Sequence, residues 1–112
     1  MVRGPQGPLR STVRIILTQH AVTDIAEARD HYAAIAPHLS LRFVEDIDAA
    51  FERMTMFPRG APPVEGFDEL RRARMRQFPY GIFYQVANDL LVVRVLHTRR
   101  HHPDAISAGQ SP

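Results

Sequence analysis

The chain has 112 residues, of which 45% are apolar and 23% charged, enough for one domain with one modest core. It has no cysteine, which excludes disulfides, thiolate metal sites and cysteine nucleophiles, and no run approaches the roughly 18 apolar residues of a membrane span. All 14 basic residues are arginine, so amine chemistry by lysine is excluded as well, and the charge is divided along the chain: residues 24–69 sum to −6 and residues 70–112 to +5.

Residues 1–12, with Gly4, Pro5, Gly7 and Pro8, carry no pattern and read as a disordered arm. They lack the apolar stretch of a secretion signal, so a cytoplasmic protein is expected. Val13–Leu17 is a short β-branched run that predicts a strand, and Thr18 is placed to cap a following helix. Ala21, Ile25, Ala28, Tyr32 and Ile35 recur at three and four residues, one face of a helix that Pro37 stops. Leu39, Phe43, Ile47, Ala50, Met54 and Phe57 repeat that spacing in a second helix, with Arg42, Glu45, Asp46 and Glu52 assigned to its wet side. Pro58, Gly60, Pro62 and Pro63 end it and open a surface loop over 58–66. Two amphipathic helices across so short a break predict an antiparallel hairpin.

Strand-like runs at 70–77, 80–86 and 90–97 follow, with turns at Phe78-Pro79 and Ala87–Asp89, and these short connections predict an antiparallel meander. The expected fold is therefore α+β, in the order β-α-α-β-β-β. The first strand would lie beside one of the late strands in an antiparallel sheet. A helical hairpin would pack on one face, leaving the other open or partly open. The domain is expected over 13–103, with 104–112 a flexible tail.

Alternation in 70–77 puts Arg72, Arg74 and Arg76 on one strand face and Ala73 and Met75 on the core face. Neighbouring guanidinium groups repel unless water, acids or a polyanion sit against them. Two readings stand: a solvated or internally paired face, and a stripe that receives phosphates or an acidic segment. In 90–97, Leu91, Val93, Val95 and His97 share one face and Leu90, Val92, Arg94 and Leu96 the other; both are mostly apolar, which suits a central strand. Arg94 needs a partner there, whether a structural salt bridge or a binding partner. His97 reads either as a hydrogen-bonded structural residue or as a group titrating near neutrality.

Thr98, Arg99, Arg100, His101 and His102 make a compact cationic segment at the sheet rim. It reads either as a contact for phosphate or an acidic partner or as a solvated tail. Adjacent histidines do not readily share one metal and no carboxylate spacing supports them, so neither a metal nor a cofactor is expected. No phosphate loop, dinucleotide-binding turn, nucleophile elbow or paired carboxylates occur.

Several phrases together resemble the RelE/ParE superfamily of bacterial type II toxins: Leu17-Thr18, Ala21 and Asp24-Ile25 opening the first helix, Tyr32 within it, Arg42-Phe43 and Phe57-Pro58 bounding the second, Leu70-Arg71, Tyr80-Gly81-Ile82-Phe83-Tyr84, and Val93-Arg94-Val95-Leu96-His97 with Arg99-Arg100. The resemblance spans about residues 13–101. It implies a cognate antitoxin as partner and one of two activities, binding of DNA gyrase or ribosome-dependent cleavage of messenger RNA. RelE-like ribonucleases use lysine and arginine on the sheet plus a Tyr or His near the C-terminus. Here lysine is missing, the arginine that commonly follows the first Tyr of the third strand is Gly81, and no Tyr lies beyond Tyr84. The Arg-Val-Leu-His-x-Arg-Arg ending looks ParE-like, which favours the gyrase inhibitor. On that reading Arg72, Arg74, Arg76, Arg94, Arg99 and Arg100 meet the antitoxin or target. On the ribonuclease reading Arg74, Arg76, His97, Arg99, Arg100 and His101 form the catalytic set.

Overall fold

A computed structural model describes residues 13–99. The expected arm over 1–12, the tail over 104–112 and the rim residues Arg100, His101 and His102 lie outside the described residues. Six elements follow in chain order: β1 (Ile15–Leu17), α1 (Gln19–Ile35), α2 (Pro37–Met56), β2 (Leu70–Arg74), β3 (Tyr80–Val86) and β4 (Leu90–His97). The sheet runs β1-β4-β3-β2. The three late strands form the expected antiparallel meander, and β1 joins β4 as a parallel edge strand, Ile15 opposite Leu90 and Leu17 opposite Val92.

The helix boundaries follow from local chemistry. Thr18 sits in extended conformation and its Oγ1 accepts from the Ala21 amide, satisfying a free donor of the first turn of α1. The same hydroxyl donates to the Val93 carbonyl at 2.8 Å, so the cap also ties α1 to β4. Ala36 is the one extended residue between the helices, and Pro37 opens α2 where its missing N–H is not needed. Ala21, Ala28, Phe43, Ile47, Ala50 and Met54 are buried against Tyr80, Ile82, Tyr84, Leu90, Val92 and Val95. Both helix stripes overrun their contact. Ile35, the last residue of α1, is 61% exposed, and Phe57, just past α2 with non-helical dihedrals, is 66% exposed.

Three expectations are corrected. Asp46 is not on the wet side of α2 but 4% exposed. It lies three residues from Phe43 and four from Ala50, inside the buried arc. Its carboxylate accepts from the amides of Arg76, Gln77 and Phe78, at 3.3, 2.8 and 3.0 Å. Those amides are therefore turned away from any ladder, so the strand expected over 70–77 stops at Arg74 and Arg76 stands in the turn beyond it.

The third correction concerns β4, where strict alternation fails. Phe83 pairs with Arg94 but Tyr84 with Val92, leaving Val93 as an extra residue in a bulge. Leu90, Val92 and Val95 therefore face the helices, whereas Val93 and Leu96 join Leu70 and Phe83 on the other face. That second face is partly covered, because Val64 of the proline-rich loop and Phe67 just after it pack on it. The loop is held at its start by the Tyr84 hydroxyl, which donates to the Pro58 carbonyl at 2.8 Å. Burial raises the pKa of this phenol.

Replacing Asp46 by Ala orphans three turn amides at once. Asp46→Ala is expected to lower unfolding stability by about 1–3 kcal/mol in a urea titration, with the larger part of the loss retained in Asp46→Asn.

Candidate functional site

Apart from Arg71, whose guanidinium is taken by backbone carbonyls, the described arginines of the C-terminal third separate into two groups according to whether the protein's own carboxylates reach them. Arg94 belongs to the paired group. Its Nε and Nη2 donate to Asp24 at 2.7 and 3.0 Å, a two-point ion pair with both side chains mostly buried. The geometry has a backbone reason. β1 ends at Leu17, so beyond Val92 the outer edge of β4 has no strand beside it. The first turns of α1 take over that edge, with Asp24 accepting from the Val95 amide at 3.0 Å. The Asp24 hydrogen bonds raise the pKa of the Arg94 guanidinium, outweighing the opposing effect of partial burial. Of the two roles read for Arg94, the geometry supplies the structural salt bridge.

Arg72, Arg74, Arg76 and Arg99 form the second group. Among the described residues no carboxylate forms an ion pair with any of their guanidinium groups. Ala73 packs on the core and Met75 is buried in it, as the alternation required, so Arg72 and Arg74 stand on the opposite face of β2. Arg74, Arg76 and Arg99 line one shallow depression at the end of the sheet, together with Pro79, Tyr80 and Thr98. Thr98 fastens this end, its amide donating to the Pro79 carbonyl at 2.8 Å, and the Arg99 amide donates to His97 Nδ1 at 3.1 Å. His97 also meets the ring of Tyr80 edge-on at 5.2 Å. Three cations thus share one rim, positioned by the Asp46-held turn on one side and the end of β4 on the other.

A second concavity lies between the C-terminal half of α2 and β2. Ala50, Met54, Phe57 and Ala73 give it apolar walls, and Arg53 stands at its edge. Arg53 donates to the Arg74 carbonyl at 3.0 Å, and Arg71 donates to the Ala61 carbonyl at 2.7 Å, pinning the loop at the far end. Reasoning from sequence missed Arg53 and Arg71, because each works through a backbone carbonyl that only the fold brings near. It also missed Asp24 as the partner of Arg94. The signal was there in a polar residue one helical step from the apolar stripe position Ile25, but nothing local says which strand it meets. No group of three or more metal-ligating side chains occurs among the described residues, and no helix there is long and apolar enough to cross a membrane.

Removing the acid of the edge pair leaves a partly buried guanidinium and the Val95 amide without their acceptor. Asp24→Ala is expected to cost about 2–3 kcal/mol of unfolding stability by denaturant titration, more than the exposed pair Arg14–Asp89 would lose on Asp89→Ala.

Residues 15–102 match the family described as "ParE toxin of type II toxin-antitoxin system, parDE". No curated protein sequence matches the chain. Among solved structures it is similar to "Chromosomal ParDE TA system from P. aeruginosa", with a TM-score of 0.68 and 19% identity, covering 79% of this chain and 98% of that one. A weaker likeness is to the RelB-RelE antitoxin-toxin complex from Methanococcus jannaschii, with a TM-score of 0.49 and 16% identity, covering 86% and 99% of the respective chains. At 19% identity the Pseudomonas likeness is one of fold, and the order β-α-α-β-β-β is the RelE/ParE-like one.

Proposed function

The chain belongs to the ParE toxin family of type II toxin–antitoxin systems, and from that membership we propose that it arrests growth by binding DNA gyrase and is held silent by a cognate antitoxin. The observation that carries the reading is the cationic rim. Arg74, Arg76 and Arg99 share one depression, and their guanidinium groups have no ion pair among the described residues. Like charges lining one depression raise the local potential and favour an anionic surface that neutralises them.

One solved structure of similar fold is a ParDE toxin–antitoxin system. For this chain, an antitoxin segment that is disordered when free would fold on binding and lay apolar side chains into the concavity between α2 and β2. Met56 and Phe57, 67% and 66% exposed, give that segment further apolar area at the end of α2. Acidic side chains of the segment would meet the arginines around it.

Two experiments test the proposal. The purified protein, added to gyrase, is expected to inhibit supercoiling or stabilise the cleaved DNA complex at micromolar concentration, and the cognate antitoxin to abolish the effect. The triple variant Arg74→Ala, Arg76→Ala, Arg99→Ala is expected to associate with gyrase about 10-fold more slowly at low salt, with the difference shrinking as salt rises. Loss of gyrase inhibition in the wild type, together with new cleavage ends in translated message, would instead assign the rim to ribonuclease chemistry.

A further inference from the structure

Gly81 sits in the second position of β3 and is buried. A glycine inside a strand weakens it, since it loses more conformational entropy on folding and offers no side chain to pack. Its backbone does not call for glycine: among the described residues only Gly66 is a glycine with positive φ. The reason is space. A methyl group built on Gly81 would lie 3.1 Å from Cδ of Arg72, 3.2 Å from its Cγ and 3.4 Å from Cε1 of Phe83. Arg74 is the residue directly opposite Gly81, while Arg72 faces Phe83. The aliphatic stem of Arg72 therefore runs diagonally from the edge strand over β3 and lies in the gap that the missing side chain leaves.

We infer that Gly81 is a positioning residue that seats Arg72 across the sheet face not covered by the helices, holding its guanidinium to receive a carboxylate of the antitoxin. The inference rests on the reading above that an acidic antitoxin segment binds this protein. An unseated arginine stem samples many rotamers and must lose that freedom for each contact it makes. A stem already lying between Gly81 and the edge of Phe83 has lost part of it beforehand, so the charge is presented at lower cost to binding. An internal ion pair does not explain the arrangement, because no carboxylate among the described residues pairs with Arg72. The carboxylates of Asp24 and Asp46 are engaged elsewhere.

The test is a double-mutant cycle on the affinity of the full chain for its cognate antitoxin, read by calorimetry at two salt concentrations. Arg72→Ala is expected to weaken binding about 10-fold, and Gly81→Ala, which crowds the stem but removes no group, about 3- to 10-fold. The double variant is expected to bind no more weakly than Arg72→Ala alone, and all three to show a shallower salt dependence than wild type. A purely structural glycine would weaken binding equally with and without Arg72, and that additivity would overturn the inference, as would an unchanged affinity in Gly81→Ala. If Gly81→Ala does not fold, Arg72→Met keeps an apolar stem over the glycine without its charge. Loss of affinity there supports the inference, and wild-type affinity overturns it. A wild-type protein that fails to bind the antitoxin would instead remove the reading on which the inference rests, and the inference with it.

Discussion

One buried carboxylate organises the arginine-bearing end of the sheet. Asp46 projects from the middle of α2 and accepts the amides of three successive residues in the turn between β2 and β3. Those amides have no strand partner, and in an apolar setting each would otherwise cost free energy on burial. The clamp stops β2 at Arg74 and sets where the turn lies against the helices. Around it Tyr32, Phe43, Phe78 and Tyr80 pack ring to ring at 4.7–6.3 Å, an aromatic cluster against the turn that carries Arg76. The rim arginines are displayed from that fixed base.

The charge division along the chain follows the same logic. The acidic half does not neutralise the basic half wholesale. Asp46 is taken by backbone amides, and Asp24 by Arg94 and the unpaired edge of β4. Of the ion pairs among the described residues, Arg14–Asp89 and Arg29–Asp30 are exposed and lie away from the rim. In Arg14–Asp89 the hydrogen bonds from Arg14 lower the pKa of Asp89, so this pair fastens β1 to the β3–β4 turn except in acid. The fold thus uses Asp24 and Asp46 as structural acceptors and leaves the guanidinium groups of Arg72, Arg74, Arg76 and Arg99 without an ion pair among the described residues.

Much of the architecture was legible in the residues themselves. Thr18 as a cap, Pro37 as a helix break, the 43–47–50–54 stripe and the core placement of Ala73 and Met75 all follow from local rules that tertiary contacts did not override. What was not legible depends on distant partners. Asp46 looked like surface because carboxylates usually are, and only the turn that comes to meet it justifies its burial. The bulge at Val93 changes which residues of β4 face the helices, and nothing in the run Leu90–Val93 announces it. The covering of the second sheet face by Val64 and Phe67 was hidden in and just after a loop whose prolines suggested only surface. Of the candidate site, Arg74, Arg76 and Arg99 do come together, whereas Arg94 is drawn away to Asp24. Gly81, read first as a missing cation, is the residue over which one is laid.

The central claim is that one set of arginines is free for an acidic partner while another is already used by the fold. It is tested most directly by following the side-chain Nε–Hε signals of the arginines by NMR as the cognate antitoxin is added. The account predicts that Arg72, Arg74, Arg76 and Arg99 shift on complex formation while Arg94 stays where it is. A complex that forms with those four signals unmoved, or that displaces Arg94 from Asp24, would contradict it.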